Sequence, residues 1–99
     1  MSTSIVLLAS NEEKNLRYLL PQIRKYADGM KLDYEILIID SMKPTDHTKE
    51  IAQKYHTRYI RQEEPGYGGA FRTGIRYATK ECFLVLDADG SHNPKDIPA

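Results

Sequence analysis

At 99 residues, with 40% hydrophobic and 28% charged side chains, the chain has the size of one domain over residues 1–99 and an ordinary globular composition. Fourteen basic residues balance fourteen acidic ones, so bulk charge gives no reason to expect nucleic acid or a membrane surface as partner. The one cysteine, Cys82, excludes an intramolecular disulfide, and no apolar run approaches the roughly 20 residues that span a bilayer; a reducing, cytoplasmic setting is expected.

Short aliphatic runs alternate with segments of helical period. SIVLLAS (4–10) predicts a buried strand; the leading MSTSIVLLAS is too short, and lacks the basic flank, for a secretory leader. In NEEKNLRYLLPQIRKYAD (11–28), Leu16, Leu19, Leu20, Ile23 and Ala27 recur at three- and four-residue spacing, the apolar face of a helix. Asn11 suits its N-cap, Glu12 and Glu13 suit its first turn, and Pro21 removes a hydrogen bond from its middle, where a kink is expected. YEILIID (34–40) reads as a second strand, apolar on both faces. After SMKPTD, HTKEIAQKY (47–55) predicts a short helix and TRYIRQ (57–62) a third, more polar strand. EEPGYGG (63–69) reads as a glycine-rich turn. AFRTGIRYATK (70–80) then predicts a helix that buries Phe71, Ile75 and Ala78, and CFLVLDAD (82–89) a fourth strand with Cys82 in the core. Strands separated by helices run parallel with right-handed crossovers. The expected class is therefore α/β, a Rossmann-like open parallel sheet of about four strands, and strands apolar on both faces need helices on both sides.

In such sheets ligands bind beyond the carboxyl ends of the strands, near the switch in strand order. Carboxylates arrive there from three strand ends: Glu12 after the first, Asp40 on the second, Asp87 and Asp89 on the fourth. Glu12 taken alone also suits a helix N-terminal charge, and Asp40 alone a loop cap. Asp87 and Asp89 are alternate residues of an extended chain and face one way, while Gly90 permits a turn. Two hard oxygen ligands on one side suit Mg²⁺ or Mn²⁺ bridging to a substrate phosphate. The glycines at 66, 68 and 69 form no P-loop, because the glycine–lysine–serine/threonine ending is absent. ASNEEKN after the first strand has no glycine, which disfavours a dinucleotide fold. Gly66, Gly68 and Gly69 serve as a flexible entry to a helix or, with Arg72, approach a phosphate. Tyr67 and His92 are further candidates for ligand contact; His47 and His56 lie apart, without ligand spacing.

With these residues in place, the chain resembles the N-terminal half of family 2 glycosyltransferases of the GT-A fold. The similarity is greatest to the branch containing dolichyl-phosphate mannose synthase. That family opens with a strand leading into proline–alanine–tyrosine–asparagine–glutamate–glutamate, here LLASNEEKNL. It has an aspartate ending the second strand, here Asp40 in ILIIDS; a glycine-rich turn into a helix, here PGYGGAFRTGIRYAT; and an aspartate–x–aspartate motif, here VLDADGSHNPKDIP. Any one motif is weak, but the four stand in the right order and spacing across essentially all 99 residues.

The resemblance implies a truncated GT-A fold that binds a nucleoside-diphosphate sugar through a divalent cation, for transfer of the sugar to an acceptor. By it, Ala9, Ser10 and Glu12 line the base and ribose pocket, Asp40 contacts the base, and Asp87 and Asp89 hold the Mg²⁺ or Mn²⁺ that bridges the diphosphate. Two departures stand out: Leu8 and Ser10 occupy the places of the family's proline and aromatic, and SMKPTDHT replaces its aspartate–glycine–serine loop. The family's acceptor site and catalytic base fall beyond the part matched, so transfer is expected to need a partner subunit, a lost C-terminal region or an acceptor supplied otherwise. Two other functions fit the residues: a non-catalytic nucleotide-binding or regulatory module, and a haloacid dehalogenase-like phosphohydrolase whose nucleophile motif DADGS imitates. Two sheet edges and a small core also lead to the expectation of a homodimer.

Overall fold

The computed structural model describes residues 2–9, 12–44 and 46–87, the last of them by its backbone. In chain order the elements are β1 (Ser2–Leu8), α1 (Glu13–Gly29), β2 (Asp33–Asp40), α2 (Thr48–Lys54), β3 (Arg58–Arg61), α3 (Gly66–Tyr77) and β4 (Cys82–Asp87). All strand pairs are parallel, in the order β3-β2-β1-β4. The expected alternation of strand and helix is present, with boundaries shifted by a few residues.

The period-2 pattern of the central strands divides the core into two layers. Ile5, Leu7 and Ala9, with Ile36 and Ile38, pack against Leu16, Leu20 and Ile23 of α1 and Ile51 and Ala52 of α2. Val6 and Leu8, with Leu37 and Ile39, form the opposite layer with Ala70 of α3. Helices thus cover both faces, as strands apolar on both sides require. Helix α1 runs unbroken through Pro21, which lies on its exposed side where water can serve the freed carbonyl.

Helix α3 departs from the sequence expectation in two ways. It begins at Gly66, so most of the glycine-rich segment is helical; Gly66 itself has φ of +82°, a conformation that favours glycine. The buried face is Gly69, Ala70, Thr73 and Gly74, whereas Phe71 and Ile75 are 36% and 51% exposed. The reason is distance. A Cβ on Gly74 would stand 2.8 Å from Val6 Cγ1, closer than side-chain atoms pack, so only the small-residue face can approach the sheet this nearly. Thr73 makes that face compatible with burial: its hydroxyl donates to Gly69 O at 2.8 Å and accepts from Glu63 N at 3.0 Å. Cys82, expected in the core, is half-buried because β4 lies at the edge of the sheet.

At the amino edge of the sheet one carboxylate joins four segments. Glu35 Oε2 accepts Ser4 Oγ at 2.6 Å, Thr79 N at 2.7 Å and Thr79 Oγ1 at 2.9 Å, while Oε1 accepts Arg58 Nη1 at 2.9 Å. Ser4 Oγ, fully buried on β1, also accepts Lys80 N at 3.1 Å. Burial opposes ionisation of Glu35, but the donors from Ser4, Thr79 and Arg58 prevail and bring its pKa to about 2.

Two predictions follow from this packing. An exposed-helix Gly→Ala exchange gains up to about 1 kcal/mol in helix propensity. At Gly74 the overpacking of stiff Val6 outweighs that gain, and Gly74→Ala is expected to lose about 1–2 kcal/mol in a urea titration; unchanged or higher stability would mean that α3 can back away from β1. Because Glu35 has a lowered folded pKa, its stabilisation is present above the ordinary value of 4.5 and is lost as pH falls toward about 2. Glu35→Gln should therefore cost about 2 kcal/mol at neutral pH. The two stability curves should converge in that acid window, and a constant offset across it would remove the carboxylate from this role.

Candidate functional site

The chain runs outward from β1 through β2 to β3, then returns across the sheet to place β4 on the other side of β1. A cavity of about 620 Å³ opens at the carboxyl edge near this switch. Leu8 and Ala9 reach it from β1, Ile39 and Ser41 from the end of β2, and Gln62 from the end of β3. Pro65, Gly66, Tyr67 and Ala70 supply the α3 side, and Glu12 and Met42 complete the lining. The floor is thus continuous with the core layer of Leu8, Ile39 and Ala70, and polar groups stand around it.

Local hydrogen bonds explain how these residues come to the edge. Ala9 N donates to Ile39 O at 2.9 Å, carrying the β1–β2 ladder one residue beyond the strand, and Glu12 N donates back to Ala9 O at 3.3 Å. Glu12 lines the cavity, and its Oε2 accepts Asn15 Nδ2 at 2.7 Å. The first turn of α1 receives its acceptor from another segment: Glu13 N donates to Asp46 Oδ2 at 3.1 Å. In return Glu13 Oε1 accepts His47 N at 3.1 Å, and Asp46 Oδ1 accepts Thr48 N and Thr48 Oγ1 at 3.1 and 2.7 Å. The two helix starts are tied together. The His47 N–H, with Arg17, holds the Glu13 carboxyl below its usual range; at Asp46 burial works the other way, but the bonds from Thr48 and Glu13 outweigh it.

Asp40 is fully buried and keeps step with Ile36 and Ile38, on the α1–α2 face. Its Oδ2 accepts the Tyr59 hydroxyl at 2.7 Å and its Oδ1 accepts Ser41 N at 2.8 Å. Burial, then the adjacent carboxylate, pushes the Tyr59 hydroxyl well above its ordinary pKa. Asp40 does not line the cavity, but its neighbour Ser41 does. Among the described residues, Ser41 Oγ is buried without a hydrogen-bond partner.

Of the residues singled out in the sequence, Ala9 and Glu12 meet at the cavity, and Asp40 lies beneath its edge. The backbone of Asp87 pairs with Leu8, so β4 ends beside the cavity wall. Ser10, Asn11, Asp89 and His92 lie outside the described residues. Arg72 is engaged by Glu64, Nε to Oε2 at 2.8 Å, and Tyr67 lines the cavity. Among the described residues no group of three or more histidine, cysteine or carboxylate side chains is placed to hold a metal. Ser41, Met42, Gln62 and Pro65 were not anticipated as lining residues. Their signal was positional: they occupy the first residues past β2 and the approach to α3.

Comparison with known proteins agrees with this arrangement. The sequence pattern of glycosyl transferase family 2 matches residues 4–99. A dolichol-phosphate mannosyltransferase of Pyrococcus furiosus is 33% identical over 102 residues, covering 99% of this chain and 28% of the relative. An uncharacterised glycosyltransferase of Mycobacterium bovis is 32% identical over 98% of this chain and 41% of its own length. The chain therefore spans well under half the length of these relatives. Among solved structures, glucosyl-3-phosphoglycerate synthase from Mycobacterium tuberculosis in complex with Mg²⁺ and uridine diphosphate superposes with a TM-score of 0.81 at 25% identity, over 98% of this chain and 37% of that one. Mannosyl-3-phosphoglycerate synthase from Rubrobacter xylanophilus shares the fold, with a TM-score of 0.85 at 20% identity over 96% of this chain and 33% of that one. The chain belongs to glycosyltransferase family 2, and its four-stranded parallel sheet with three helices is the amino-terminal portion of the GT-A fold.

Proposed function

We propose that the carboxyl-edge cavity binds the nucleotide of a nucleoside-diphosphate sugar and that the chain serves sugar transfer to an acceptor. The observation that carries this reading is the meeting of Ala9, Glu12 and Ser41 on an apolar floor, directly beside the end of β4. Its support from outside is the M. tuberculosis synthase, whose matching fold holds Mg²⁺ and uridine diphosphate. Asp87 and Asp89 would hold the Mg²⁺ or Mn²⁺, and Ser10 would extend the wall formed by Ala9 and Glu12. A cation held by Asp87 and Asp89 would neutralise charge on a leaving diphosphate. Asp40 serves base recognition from below, by fixing the Ser41 backbone, and Tyr59 holds Asp40 in place. The lone Cys82 suits a reducing cytoplasm.

The metal assignment is tested by calorimetry with uridine diphosphate in Mn²⁺ and with uridine in metal-free buffer. Asp89→Ala is expected to weaken the first at least about tenfold, a loss of roughly 1.4 kcal/mol, and to leave the second nearly unchanged. Equal losses in both would remove the cation from this pair.

The same reading takes the chain as a twofold dimer. The outer edge of β4 has no partner strand among the described residues, and from Cys82 to Leu86 it carries no charge or proline to discourage pairing. The opposite edge, β3, has Arg58 and Arg61 at its two ends. Phe71, Ile75 and Phe83 add exposed apolar surface on the β4 side, with the two phenylalanine rings edge to face at 5.9 Å. Light scattering at micromolar concentration should read twice the chain mass, and a monomer at every concentration would exclude the dimer.

A further inference from the structure

We infer that Tyr67 is the stacking surface for the nucleobase, and so a residue that sets affinity for the nucleoside part of the ligand. The inference rests on the nucleotide reading of the cavity proposed above. A planar base needs a flat apolar or aromatic face against it, and such stacking is a substantial part of base binding. The β1 end of the cavity does not provide an aromatic: the segment contributes Leu8, Ala9 and Glu12. Tyr67 is the aromatic side chain among the described lining residues. It is 65% exposed, so its ring is available to a ligand rather than committed to the core.

Its position is held by the backbone around it. The left-handed φ of Gly66 turns the chain immediately before Tyr67. Gln62 Nε2 donates to Glu64 O at 2.7 Å and to Gly66 O at 3.1 Å, bracing the turn from the end of β3. Gly69 lies so close to this turn that a Cβ there would stand 2.1 Å from Glu64 O. Gly66, one residue before Tyr67, and Gly69, two after it, are therefore constrained, while the ring itself stays open. A fixed backbone carrying an open aromatic ring presents area with little ordering to be done on binding, because only two side-chain torsions remain. Opposite polar demands are met elsewhere, by Ser41 and Glu12 on the same cavity.

The test uses the full chain and four probes: uridine, guanosine, and their diphosphates with Mg²⁺. Tyr67→Ala is expected to weaken whichever nucleoside the native chain binds by about tenfold, and its diphosphate by the same factor. Tyr67→Phe keeps the ring and should bind within about twofold of the native chain. The exposure of Tyr67 means that both variants fold, which a thermal melt checks. Native-like binding by Tyr67→Ala overturns the inference. So does an equal loss in Tyr67→Phe confined to the diphosphates, which would assign the hydroxyl to phosphate. Failure of the native chain to bind any of the four probes would instead overturn the nucleotide reading itself, and the inference with it.

Discussion

The close approach of α3 to β1 is the constraint on which the site depends. Gly74 stands against Val6, and the same helix face carries Ala70 to Leu8 and Ile39 four residues earlier. One turn before that, the helix start forms a wall of the cavity. The contact at position 74 fixes how near α3 lies to the sheet, and the start of the same helix walls the pocket. Close packing transmits a displacement because interiors have few voids to absorb it. The small residues of α3 are therefore part of the site's architecture, including Gly69, Thr73 and Gly74, which do not line the cavity.

The two edges of the sheet divide stability from function. At the amino edge, donors from β1, β3 and the link before β4 converge on Glu35, and their combined effect exceeds the penalty of burying the charge. At the carboxyl edge the bonds orient residues but leave lining groups toward the cavity. The mutual capping of α1 and α2 through Glu13, Asp46 and Thr48 is of this second kind: it holds the start of α1, and with it Glu12, without occupying the pocket.

The alternation of strands and helices, the two-sided core and the convergence of strand ends were legible because they follow from hydrophobic period and parallel connection. The apolar stripe of α1 was readable residue by residue: Leu16, Leu19, Leu20, Ile23 and Ala27 are all buried. The face of α3 was not. Its apolar spacing pointed to Phe71 and Ile75, but a helix packed at glycine distance buries what is small, and period alone does not report interaxial distance. The β4 residues were read as core because a greasy run looks the same in a central strand and at an edge; topology distinguishes them. At the site, Ala9 and Glu12 were legible from position after β1. The burial of Asp40 was not, because its partner Tyr59 comes from β3, nineteen residues away.

The donors found at the carboxyl edge change the argument for a cation. In sequence, Glu12, Asp40, Asp87 and Asp89 converge on one edge of the sheet, and such a group repels itself unless a cation or hydrogen-bond donors intervene. In the folded chain Asp40 has the Tyr59 hydroxyl and the Ser41 N–H, and Glu12 has the Asn15 amide. Asp46, a further acid nearby, is occupied by Thr48 and the start of α1. These carboxylates are served by neutral donors within the protein. The argument for the proposed cation consequently narrows from the whole edge to the fourth strand, where the backbone of Asp87 is set beside Leu8 and Asp89 follows it in sequence. A cation there would lie at the boundary between the apolar floor and the strand end. On the proposed nucleotide reading, that is where a diphosphate would emerge from the pocket.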